Sequence, residues 1–174
     1  MGHCIQIIAT TLDVATSIGI DFSPLCMLRT IDSHAIIPIE ADFIDSVTNA
    51  RPNQDTDDLG FMLLTDSFLD WLQALSRLGR IAYLETEYFG GQGGQGAVVL
   101  ENAKVLLWPI WDDSGTINDA LELIGVPINP QYDRFVALRL CDYRSNDRIL
   151  DALDDVQKHE QNVGPNPPSV SSEL

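Results

Sequence analysis

Arg80-Ile81-Ala82-Tyr83-Leu84-Glu85-Thr86-Glu87-Tyr88-Phe89-Gly90-Gly91-Gln92-Gly93-Gly94-Gln95-Gly96-Ala97-Val98-Val99-Leu100 is the stretch on which the fold turns. Residues 80–89 are rich in aromatic and apolar side chains and hold no glycine or proline, so they read as a strand. Gly96 to Leu100 reads as a second strand. The glycine-rich segment between them joins two extended segments and does not open a helix. That reading treats it as a wide, mobile loop, because glycine raises the entropic cost of order. Next along the chain, Lys104-Val105-Leu106-Leu107-Trp108 pairs with Gly96–Leu100 in a hairpin turning at Asn102-Ala103, and Pro109 is expected to end the pairing.

The rest of the chain falls into place around this meander. Ile5 to Thr10 is a short apolar run and reads as a strand. Ala35 to Ile39 reads as an edge strand, since Pro38 cannot donate to a central ladder. Residues 11–30 are ambiguous between strand and helix, Pro24 being a possible helix start, and Asp42 to Val47 has room for one or two helical turns. Residues 49–58 read as a polar surface loop. The clearest helix runs from Asp66 to Leu78: Phe68, Trp71, Leu72, Leu75 and Leu78 form one apolar stripe, Thr65 or Asp66 caps it, and Gly79 stops it. A second helix spans Ile117 to Ile124, capped by Ser114 or Thr116 and stopped by Gly125. Residues 134–141 fit strand or helix, and Asn146–Val156 fits a last helix. The pattern predicts an α+β fold, a mainly antiparallel central sheet with helices packed on one side. Residues 1–156 are expected to form a single domain. Residues 157–174, polar and rich in Pro and Ser, are expected to be a disordered tail.

Composition bounds the function. With 174 residues and 45% apolar side chains, one core can form without disulfides or metals. Acidic residues number 26 against 10 basic ones, a net charge of −16, which argues against nucleic acid or an anionic membrane as partner. No run of eighteen apolar residues points to a membrane span. The first residues lack the basic flank and cleavage site of a leader, so a cytoplasmic location is expected. Three cysteines (Cys4, Cys26, Cys141) and three histidines (His3, His34, His159) show no ligand spacing. The cysteines read as reduced thiols, with Cys4 and Cys141 packed as small apolar groups, and no cofactor or metal is expected.

Three signals bear on chemistry. Gly91, Gly93 and Gly96 fit GxGxxG, but a phosphate cradle needs the third glycine to open a helix, and here it opens a strand. A nucleotide reading, with Arg144 and Arg148 on the phosphates, is the weakest of the functional alternatives. Asp112-Asp113-Ser114-Gly115-Thr116 resembles the DxDGT of haloacid-dehalogenase-like phosphatases, but Ser114 stands where the second acid belongs, so it reads as a turn and helix cap. Alternation puts Tyr83, Glu85 and Glu87 on one face of their strand. Paired carboxylates beside a glycine-rich loop suit acid–base work or a divalent cation; more often such a pair is the solvated face of a sheet.

Residues 81–97, with the Trp-bearing helix before them, Ile117-Asn118-Asp119-Ala120-Leu121 after them and Asp133-Arg134-Phe135 to Arg144 near the end, resemble a family of small, uncharacterised bacterial proteins with a YFGGxGxQ-type motif. Some of its members resemble immunity proteins that neutralise secreted toxins. The resemblance and the charge together point to a non-enzymatic interaction domain for a toxin or other basic protein. Its contact residues are expected to be Tyr88, Phe89, Gly90, Gly91, Gln92, Gly93, Gln95 and Trp108, with Glu85 and Glu87 beside them. The alternative is a small enzyme or a ligand- or metal-binding protein using Glu85, Glu87 and the glycine-rich loop. No catalytic residue is assigned, and the oligomeric state is left open.

Overall fold

The computed structural model describes residues 2–22, 27–31, 33–48, 59–128 and 130–162, with side chains to 158. In chain order the described elements are β1 (His3–Thr11), α1 (Leu12–Asp21), β2 (Leu28–Ile31), β3 (His34–Pro38), α2 (Ala41–Thr48), α3 (Asp66–Leu75), β4 (Ile81–Phe89), β5 (Gln92–Glu101), β6 (Lys104–Asp112), α4 (Thr116–Leu123), α5 (Arg134–Ala137), a 3-10 turn (Leu140–Asp142) and α6 (Asn146–Asn162). Six strands form one sheet in the order β2-β3-β1-β4-β5-β6, and every neighbouring pair is antiparallel. The fold is α+β, as the sequence predicts. Pro24, Cys26, residues 49–58 and the residues beyond 162 lie outside the described part.

The helices cover both faces of the sheet, where one was expected. Ile5, Ile7, Ala9, Ala82, Leu84, Ala97 and Val99 pack with Ile117, Leu121, Leu140, Ile149 and Leu153 on one side. Ile8, Ile81, Tyr83, Val98 and Leu100 pack with Ile18, Ile44, Phe68, Leu72 and Leu75 on the other. A sheet buried on both faces needs apolar runs rather than alternation, and β1 from Ile5 to Thr10 and β4 from Ile81 to Thr86 are buried at every position.

Pro38 does not make β3 an edge: the strand lies between β2 and β1 and is buried throughout. Pro38 is its last residue, opposite Ile7, beyond the residues that meet β2, so its missing N–H removes no bond from a three-strand ladder. Nor does Pro109 end the β5–β6 pairing, which runs on to Asp112 opposite Gln95. The ladder shifts register between Ala97 and Val99, and a bulge on an outermost strand accommodates proline.

Residues 134–141 hold α5, a turn at Leu138 and Arg139 and the start of the 3-10 turn, and among the described residues, 11–30 hold the end of β1, α1 and the start of β2. Thr65 caps α3 by accepting from the Phe68 amide at 3.2 Å. The helix stops at Leu75 rather than Leu78, because Ser76 turns inward. Its carbonyl accepts from the Asn102 amide at 2.9 Å, and its hydroxyl accepts from the Ala103 amide at 2.9 Å. Asn146, at the start of α6, closes a gap beside β1. Its amide nitrogen donates to the Gln6 and Ile39 carbonyls, and its oxygen accepts from the Gln6 amide.

Candidate functional site

The glycine run is a tight turn followed by a strand. Phe89 pairs with Gln92, so the β4–β5 turn contains only Gly90 and Gly91. Both have positive φ, 63° and 85°, which a two-residue hairpin turn of the type I′ kind demands at both central positions. The wide loop expected from the sequence is therefore corrected. The remaining glycines are strand residues that permit close approach. A Cβ on Gly93 would collide with the Glu87 carbonyl, one on Gly94 with the Trp111 indole nitrogen, and one on Gly96 with Phe61 and Trp111. Trp111 thus lies across Gly94 and Gly96, with Phe61 edge-on at a ring-centre distance of 5.5 Å.

The two carboxylates are split. Alternation does place Glu85 and Glu87 on one strand face, but Glu85 is wholly buried and Glu87 is exposed. Glu85 accepts from the backbone amides of Met62 (2.6 Å), Leu63 (3.0 Å) and Leu64 (3.1 Å) and from the Tyr83 hydroxyl (2.8 Å). Burial pushes its pKa above the ordinary carboxylate range, and the four donors pull the other way. Burial and the adjoining Glu85 together push the Tyr83 phenol well up. With both oxygens engaged and the side chain buried, Glu85 clamps the segment before α3 to the sheet, away from the exposed Glu87. The two carboxylates are therefore neither a solvated pair nor a pair sharing one environment.

Tyr88 and Gln95 face the opposite side. The Tyr88 hydroxyl donates to the Asp113 carbonyl at 2.6 Å and accepts from the Gln95 amide at 3.1 Å, while the Gln95 oxygen accepts from the Ile117 amide at 3.1 Å. Gln95 therefore serves the first turn of α4, whose N-cap is Gly115 (φ 92°) with no side-chain bond of its own. Ser114 and Thr116 do not cap it. These two predicted contact residues hold the hairpin to α4.

What the hairpin end does present is a groove of about 540 Å³, lined by Gly60, Glu87, Phe89, Gln92, Gly93, Gly94 and Trp111. Phe89 is 82% exposed. Four of the expected contact residues meet here: Glu87, Phe89, Gln92 and Gly93. Gly60, Gly94 and Trp111 were missed in the sequence; glycines at 94 and 96, alternating along a strand, were the available signal that a bulky ring crosses it. Trp108 is 71% exposed but lies elsewhere. Its neighbour Leu107 opposes Val99, seven residues along β5 from Gln92, a separation of roughly 23 Å at about 3.3 Å per residue.

Arg144 reaches the Gly2 carbonyl at 3.5 Å, and Arg148 pairs with Asp151 at 3.4 Å. Cys141 is exposed and Cys4 half-buried, so Cys141 is not the packed apolar group expected. Among the described residues no three His, Cys, Asp or Glu side chains are grouped to hold a metal ion, and no helix is long and apolar enough to cross a membrane. No family model, no curated protein and no solved structure matches the chain.

Proposed function

We propose that the chain is a non-enzymatic protein-binding domain that takes a basic partner, of the kind an immunity protein takes in a toxin, at the β4–β5 hairpin end. The observation that carries this reading is Phe89: a large aromatic ring, 82% exposed, on a strand end fixed by a two-residue turn. A rigid aromatic anchor loses little side-chain entropy on binding, which is why such groups dominate interface energies. The adjoining groove supplies a recess, and a net charge of −16 steers cationic partners toward the molecule. The enzyme alternative loses support because Glu85 is fully engaged within the fold.

Tagged protein purified from its native cell tests the reading. We expect a stoichiometric, basic companion that is identified by mass spectrometry and lost with Phe89→Ala. Recovery of the domain alone, or an unchanged companion with the variant, would overturn it.

A further inference from the structure

We propose that the groove at the hairpin end receives an arginine side chain of the basic partner, with the Glu87 carboxylate holding the guanidinium and the Phe89 ring lying against its face. This rests on the protein-binding reading and specifies what that partner must present.

The lining residues select the ligand. Glu87 is the one charged group among them, so the groove favours a cation over an anion. Among the described residues the Glu87 carboxylate has no hydrogen-bond or ion-pair partner, unlike that of Glu85 two positions before it. Glu87 and Phe89 stand on the same strand face two residues apart, roughly 7 Å along the strand. A planar guanidinium fits that spacing: two N–H groups reach a carboxylate while the plane rests on an aromatic ring. An ammonium lacks the fork and the plane.

Gly94 lies opposite Glu87 in the ladder. The Trp111 indole nitrogen sits over Gly94, where a side chain would displace it. The groove is therefore walled by Trp111 on one side and Phe89 on the other, with glycine backbone beneath. A lone carboxylate gives a divalent cation too few oxygens, which leaves an organic cation as the fitting occupant.

Two-dimensional amide NMR of the full chain provides the test, with N-acetyl-arginine amide as the probe and N-acetyl-citrulline amide as its uncharged, equally shaped control. Binding of one side chain is weak, so titration to about 50 mM is appropriate. We expect the Trp111 indole signal and the Gly93 and Gly94 amides to shift saturably with the arginine compound and not with citrulline. Glu87→Gln should weaken the response at least tenfold and Phe89→Ala several-fold, with an otherwise unchanged amide spectrum because both side chains are exposed. Equal shifts with citrulline, shifts that survive Glu87→Gln, or no shift at all would overturn the proposal. A protein companion captured independently of Glu87 would then leave the broader reading standing. Arginine binding without any companion would support the groove assignment and remove the protein-binding reading.

Discussion

Glu85 is where a single side chain decides most. Three consecutive backbone amides and a phenol converge on one buried carboxyl group, so the segment entering α3 is fixed by hydrogen bonds as well as by the burial of Phe61 and Leu64. Glu85→Gln keeps one acceptor oxygen but turns an NH2 group toward amide donors. We expect a loss of about 2 kcal/mol in urea unfolding. The pH dependence follows from the raised pKa. A carboxyl that holds its proton longer in the native state than in the unfolded chain contributes stability that is complete below the ordinary value of 4.5 and is lost as the pH rises through the raised one. The stability gap between wild type and Glu85→Gln, measured from pH 4 to 8, should therefore narrow with rising pH. A gap that widens would mean that the four donors outweigh burial.

The β4–β5–β6 meander shows at the scale of elements how turn chemistry and ring packing share out the glycines. Asn102 and Ala103 both have positive φ, 52° and 60°, and the Ala103 amide is held by the Ser76 hydroxyl. An alanine in that region carries strain that glycine lacks. Ala103→Gly should raise stability by about 0.5–1 kcal/mol, read as a higher denaturation midpoint at unchanged slope. Gly96→Ala should act in the opposite sense: its methyl would sit 2.5 Å from Phe61 and Trp111, an overpacking that costs about 1–3 kcal/mol. A neutral result would show that the two rings move aside freely.

These elements also show what local sequence carries. The apolar run Ile81–Leu84, the Phe68/Leu72/Leu75 stripe and the Asn102-Ala103 turn were legible because each is set by residues within a few positions of one another. The Glu85 clamp was not, since its amide partners lie 21 to 23 residues away. Neither was the Gln95 bond to the Ile117 amide, 22 residues on. The hairpin-end site was half legible: Glu87, Phe89, Gln92 and Gly93 share a neighbourhood in sequence, whereas Trp111 joins them only because β5 pairs with β6. Helices on both faces did have a signal within single strands, because a two-sided core turns alternation into plain apolar runs such as Ile81–Leu84.

Charge is the property that belongs to the whole molecule. A net charge of −16 on a chain of 174 residues makes a field that no single ion pair accounts for. The described ion pairs are mostly exposed, as with Arg139–Asp142 and Arg148–Asp151, and contribute little to stability. Under the proposed protein-binding reading, the excess of acids acts instead on encounter with a cationic partner. Its influence on association fades once the Debye length shrinks below the approach distance, from about 30 Å at 0.01 M salt to about 8 Å at 0.15 M. Capture of the basic companion should therefore slow at least tenfold over that range, with its dissociation rate changing far less, as measured by stopped-flow mixing. Phe89→Ala should do the reverse, leaving the salt dependence of association intact while accelerating dissociation, because a buried ring acts after encounter and a field acts before it. If salt moved dissociation as strongly as association, charge would be acting inside the contact itself, and the Glu87 groove would be where to look for it.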